Sequence, residues 1–203
     1  MTLHSEIFEQ PARLAALFAN QKQAVKEIAQ VIQSRNVQYA FLAARGTSDN
    51  AGRYANYLWA AHNGIPLALA TPSLFTYYQS PPRLQSALVI GVSQSGQSPD
   101  IVSVLEEGRK QGCLTLAITN VPDSPLAKAA DLILDIQAGE EKAVAATKTY
   151  TAELMSIAMI SAALNDSTEH WNELASVSRW AEQTLALDSE IARMTQRYRY
   201  MSQ

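Results

Sequence analysis

The sequence predicts an α/β fold: a flavodoxin-like, doubly wound sheet of five parallel strands flanked by helices. Three observations predict it. Short apolar runs at Val37–Ala44, Leu67–Ala70, Ala87–Val92, Leu114–Thr119 and Leu132–Ile136 are each bounded by turn residues. Segments of helical periodicity alternate with them, and strand–helix alternation builds right-handed βαβ units covered on both faces. Polar loops follow the first, third and fifth runs, at the carboxyl ends where such sheets hold ligands.

Each element has its own signal. Residues 3–34 carry a helical pattern with apolar positions at Leu14, Leu17, Phe18, Val25, Ile28, Ala29 and Ile32. Pro11 predicts a boundary there: position N1 of a helix beginning after Gln10, with Ser5–Gln10 a separate turn. A helix opens at Ser48 or Asp49; Ala51, Tyr54, Ala55, Leu58 and Trp59 share its buried face, and Asn63-Gly64 closes it. Leu74–Tyr78 reads as one helical turn. After the third strand, Ser98 fits an N-cap, Pro99 fits N1, and Asp100 sits in the first turn. Pro122–Ala130 is a loop and short helix. Gln137–Ala146 leads to a long apolar helix over Thr147–Leu164. Two amphipathic helices, roughly 168–185 and 186–201, finish the chain. The expected organisation is a helical segment at 1–36, the sheet domain at 37–165, and C-terminal helices at 166–203.

Composition narrows the function. The 203 residues suffice for one sizeable core, with 47% hydrophobic and 17% charged residues. Net charge is -3 with no basic block, which argues against nucleic acid as a partner and leaves room for a small anion. Cys113 is the single cysteine, so no intramolecular disulfide forms, and its apolar run marks it as a core thiol. No apolar run approaches the ~20 residues a membrane span needs, and the N-terminus lacks a secretory pattern, so a cytoplasmic location is expected. His4, His62 and His170 share no metal-ligand spacing; neither a metal nor a cofactor is expected.

The chemistry-bearing stretch is Ser93-Gln94-Ser95-Gly96-Gln97-Ser98-Pro99-Asp100. A buried strand delivers hydroxyls, an amide and backbone N–H groups to a helix N-terminus, which is a ready cradle for phosphate. Gly96 lets the backbone approach a ligand. The plain alternative is a serine-rich turn with Ser98 as N-cap. Arg45-Gly46-Thr47-Ser48 is a second such turn, and a doubly wound sheet sets it beside the first. Neither GxGxxG nor GxxxxGK[ST] is present, so dinucleotide and P-loop readings lack their motif. Among nearby carboxylates, Asp49 and Asp100 read as helix-start residues, and Glu141 is the candidate local base. Lys148, at a helix start, faces either a ligand or an acid, or else solvent. Tyr77, Tyr78, Trp171 and Trp180 read as packing or interface residues.

Arg45–Ser48, Val92–Asp100 and Val144-Ala145-Ala146-Thr147-Lys148, with Glu6-Ile7-Phe8-Glu9-Gln10-Pro11 and Ala117-Ile118-Thr119-Asn120-Val121, resemble the sugar isomerase (SIS) domain. The likeness is to the first of two SIS domains in the isomerase half of glutamine–fructose-6-phosphate aminotransferases and related sugar-phosphate isomerases and deaminases. It covers about residues 5–165. The resemblance implies that Ser48, Ser93, Ser95 and Ser98 bind the phosphate of a hexose or hexosamine 6-phosphate. It implies sugar contacts from Gly46, Thr47, Gln94 and the backbone at Val144. It also implies a homodimer. Ala146 stands where the family has serine, and Arg45 where the aminotransferases have cysteine; Arg45 reaches either the ligand or an interface. No counterpart of the family's glutaminase domain is expected, since Thr2 stands where its nucleophilic cysteine belongs. Its catalytic glutamate and Schiff-base lysine come from a second SIS domain, expected beyond Gln203. The leading expectation is therefore a substrate-holding domain of an aldose–ketose isomerase, aminotransferase-like or deaminase enzyme, inactive alone. A sugar-phosphate sensor is the alternative, and an FMN carrier a third.

Overall fold

A computed structural model of the chain describes residues 2–201. Its centre is an all-parallel sheet of β1 (Tyr39–Ala43), β2 (Leu67–Leu69), β3 (Ala87–Ser93), β4 (Leu114–Thr119) and β5 (Leu132–Asp135), ordered β2-β1-β3-β4-β5. The doubly wound α/β expectation is met. The strand order reverses between β1 and β3, which pair from Tyr39↔Ala87 to Ala43↔Gly91. The connections that leave these strands depart in opposite directions, which opens a crevice at their carboxyl ends.

Alternation along the strands splits the core into two layers. Leu42, Leu88, Ile90, Val92, Leu116 and Ile118 face α1 (Leu3–Ser34), α2 (Thr47–Asn63) and α6 (Lys148–Leu164), meeting Leu17, Trp59 and Ile157. Val89 and Ala117 face the other way, toward α4 (Pro99–Lys110) and α5 (Pro125–Ala129), where Ile101, Leu105 and Leu126 lie. Cys113 sits in this second layer; burial pushes its thiol up, and it donates to the Leu84 carbonyl. The single turn of helix, α3 (Ser73–Thr76), lies between β2 and β3.

α2 and α6 are bonded along their length. The Trp59 indole donates to the Ile157 carbonyl at 3.2 Å, and Asn63 and Ser161 exchange bonds of 2.9 and 2.7 Å. The C-terminal part divides more finely than its amphipathic pattern implies. It forms α7 (Thr168–Leu174), α8 (Val177–Leu185) and α9 (Asp188–Thr195), then a 3-10 turn at Gln196–Tyr198. Among the described residues no helix is long and apolar enough to cross a membrane.

Pro11 does not start a helix; α1 runs unbroken through it. Proline lacks the N–H that would bond the Ile7 carbonyl, and that lost bond is what makes an interior proline costly. Here the Gln10 side chain supplies it: Nε2 donates to the Ile7 oxygen at 2.9 Å. A local side chain thus repairs the defect that a boundary would otherwise avoid. In a double-mutant cycle by urea unfolding, Gln10→Ala is expected to destabilise by about 1 kcal/mol beside Pro11 and by nearly nothing beside Ala in Pro11→Ala. Equal losses in both backgrounds would remove the repair.

Candidate functional site

The two hydroxyl-bearing turns emerge side by side from β1 and β3. The first is turned by Gly46, whose φ of 56° and ψ of -129° suit glycine alone. It places Thr47 and Ser48 at the start of α2. The second runs from Ser93 at the end of β3 to Ser98, the N-cap residue of α4.

In the second turn the hydroxyl hydrogens remain available. The Ser93 oxygen accepts from the Gly96 N–H at 3.2 Å, and the Ser95 oxygen accepts from the Gln97 N–H at 3.3 Å. Both bonds use lone pairs. Ser98 makes no side-chain capping bond; its carbonyl takes the Ile101 and Val102 amides instead. The loop is fixed from beneath, with the Gln94 carbonyl receiving the Asn120 amide at 3.1 Å. Gly96 is required by packing. At φ 62°, a Cβ there would collide with the Ser124 hydroxyl, so this glycine admits the α5 cap. The Leu126 amide completes that seam by bonding the Gly96 carbonyl at 3.1 Å.

Arg45 spans the two turns. Its Nε and a terminal nitrogen lie 2.7 and 2.5 Å from one oxygen of Asp100, in the first turn of α4. Asp100 alone would set a negative charge beside the N-terminus of α4, where an anion would bind. Arg45 neutralises it and leaves the dipole and N–H groups to act. Asp49 is paired with Arg53 at 3.2 Å.

The third loop runs from β5 to the start of α6. Two α1 carboxyl groups hold it. Glu6, fully buried, accepts from the Lys142 and Ala143 amides at 2.6 and 3.1 Å. Glu9 accepts from Lys148 Nζ at 2.8 Å; this bond, foremost, holds the Glu9 carboxyl below its ordinary range. Lys148 thus faces an acid and is fully buried, which excludes the solvent alternative. Asn120 ties the loop's start, donating to the Gly139 carbonyl and accepting from the Ala138 amide at 2.7 and 2.8 Å. Val144 stands fully exposed at its tip.

Glu141 is absorbed by the same scaffold. It accepts from Thr147 N and Oγ1 at 3.0 and 3.1 Å, from Thr149 N at 3.4 Å, and from the Thr149 hydroxyl. Burial pushes its pKa up, but the Thr149 and Thr147 bonds outweigh burial and leave it lowered. An acceptor so occupied suits holding the start of α6 more than taking a proton.

One residue at the site escaped the sequence. Glu153 on α6 is 2% exposed, and its Oε1 accepts from Ser48 Oγ at 2.8 Å. Its pKa is raised to about 7: burial foremost pushes it up, the Ser48 bond partly offsets this, and the charge of Glu141 adds to the rise. The available signal was a lone acid in an apolar helix just after the third loop. Ser48, assigned by resemblance to phosphate, has its hydroxyl on this carboxyl group. The structure also brings together two histidines that are distant in sequence. The rings of His62 and His170 meet edge to face at 4.7 Å, beside an apolar cavity of about 200 Å³ that Tyr54 and Trp180 also line. Among the described residues, no cluster of three or more His, Cys, Asp or Glu side chains is placed to hold a metal.

Residues 33–163 match the model of the SIS domain. The chain belongs to the SIS-domain family. Glutamine–fructose-6-phosphate aminotransferase from Bartonella quintana is 30% identical over 202 residues, covering 93% of this chain and 33% of that protein. A protein of Silicibacter pomeroyi classed as a phosphosugar isomerase superposes with a TM-score of 0.83 at 32% identity, covering 91% of this chain and 59% of that one. The C-terminal domain of glucosamine–fructose-6-phosphate aminotransferase from Francisella tularensis superposes with a TM-score of 0.75 at 25% identity, covering 94% and 57%. This SIS chain therefore spans about a third of the aminotransferase and under two thirds of either solved chain.

Two measurements test the electrostatics of the site. Between pH 4.5 and about 7 the folded chain carries a proton on Glu153 that the unfolded chain has lost. That contribution is present below pH 4.5 and disappears as pH rises through about 7. Urea unfolding should lose about 3 kcal/mol from this group between acid and mildly alkaline pH, and Glu153→Gln should abolish that part of the slope. An unchanged slope would contradict it. Glu6→Gln should speed hydrogen exchange at Lys142 and Ala143 by roughly 10- to 100-fold, a loss of about 1–3 kcal/mol.

Proposed function

We propose that this SIS chain binds a hexose or hexosamine 6-phosphate across the β1/β3 crevice. In this reading Ser93, Ser95 and Ser98 hold the phosphate with the N-terminus of α4. Ser48 joins them, while Gly46, Thr47, Gln94 and the backbone at Val144 face the sugar. The carrying observation is the β3–α4 turn: hydroxyls with unspent hydrogens, at a helix start whose acidic residue is neutralised by Arg45. Each hydrogen bond to a charged group contributes about 1.5–3 kcal/mol, so three or four hold a phosphate without a lysine.

The relatives named above support extending this to the substrate-holding domain of an aldose–ketose isomerase, aminotransferase-like or deaminase enzyme. Such chemistry moves a proton between C1 and C2 and needs a base. With Glu141 committed to threonines and Lys148 to Glu9, we propose that the reacting groups belong to a further domain of the complete enzyme, and that residues 166–203 lead toward it. We further propose that the chain pairs as a homodimer in the cytoplasm.

Isothermal titration with fructose, glucosamine and galactosamine 6-phosphates tests the binding reading. At least one should bind, its unphosphorylated sugar should not, and Ser95→Ala should weaken binding about 10- to 100-fold while the free protein stays folded. No binding by any of them would contradict it. Light scattering should give twice the 22.2 kDa chain mass; the single-chain mass would exclude the dimer.

A further inference from the structure

Glu153 is the buried acid that the binding reading leaves without a task. Its carboxyl group takes the hydroxyl of Ser48, a residue that reading gives to the phosphate. A serine hydroxyl has one hydrogen and cannot donate it to both. If Ser48 turned to a phosphate while Glu153 stayed ionised, a buried carboxylate would lose its donor and face a dianion, with Glu141 nearby.

The surroundings offer that charge no relief. Lys148, one turn back on α6, is spent on Glu9 of α1, which Arg13 also contacts. On α2, Asp49 and Arg53 pair with each other. From α7, His170 and Glu173 line the cavity beside Ala158 and Ser161, further along α6. β4 (Leu114–Thr119) carries no ionisable side chain, and from the third loop Glu141 opposes the charge.

We infer that Glu153 is a proton-linked positioning residue: capture of a phosphate at Ser48 is coupled to uptake of a solvent proton by Glu153. Protonated, the Glu153 O–H donates to the Ser48 oxygen, and the Ser48 O–H donates to the phosphate, so every donor and acceptor is used. The proton comes from bulk water and returns there on release. Its position near neutrality in the free chain makes that exchange accessible at ordinary pH. The inference rests on the phosphosugar reading.

The test is titration of the full chain with fructose 6-phosphate, which has no amine to titrate, from pH 7.5 to 9, above the ~6 at which a phosphate monoester gains its second charge. Proton uptake is read from buffers of different ionisation heat. Wild type should take up close to one proton, and its affinity should fall by up to about tenfold per pH unit. Glu153→Gln, whose amide imitates the protonated acid, should bind at pH 8.5 up to about 30-fold more tightly than wild type, without pH dependence or proton uptake. Binding by wild type with no proton uptake, or the same slope in Glu153→Gln, would overturn the proton link while leaving the phosphosugar reading standing. No binding at any pH would overturn both. Should Glu153→Gln fail to fold, carboxyl-¹³C-labelled wild type decides. A glutamate midpoint near neutrality that rises on saturation supports the link, and one that does not move overturns it.

Discussion

The candidate site depends on one topological constraint: β1 and β3 are neighbours in a parallel sheet, and the chain leaves them in opposite directions. Parallel strands need crossovers, so sequence neighbours separate and loops distant in sequence meet. Arg45–Ser48 and Ser93–Ser98 are side by side for this reason. Arg45 then bonds Asp100 directly, 55 residues away, and converts that adjacency into a fixed and locally neutral surface.

The third loop needs more support because β5 lies two strands from β3. Its return is held by α1 through Glu6 and the Glu9–Lys148 pair, and by Asn120 at the end of β4. These are buried or half-buried polar groups, each held by at least one partner, and such pairings fix the loop's position. α1 is therefore part of the site's frame. Its interior proline is tolerated because Gln10 satisfies the carbonyl that Pro11 leaves open.

What could be read from sequence was what local chain chemistry determines. The strands, the Ser98-Pro99 helix start and the hydroxyl turns are contiguous patterns, and they hold in the structure. Pro11 misled because the general penalty of an interior proline was repaired by one neighbouring side chain. The packing reason for Gly96 was hidden because the atom crowding it, Ser124 Oγ, lies 28 residues away. Glu153 was hidden for the same reason: its partner Ser48 is 105 residues distant, and its helix reads as uniformly apolar core. Glu141 and Lys148 were visible as candidates, but which acceptors and donors they meet is settled only by packing. Sequence period tells which face is buried; it does not tell which buried polar group meets which.

The most direct test of the account is a crystal structure of this chain with glucosamine 6-phosphate. The phosphate should lie at the N-terminus of α4, within hydrogen-bond distance of the Ser93, Ser95 and Ser98 hydroxyls, with the sugar over Thr47. A phosphate seated instead on the basic hollow lined by Arg109, Lys110 and Lys128 would contradict it.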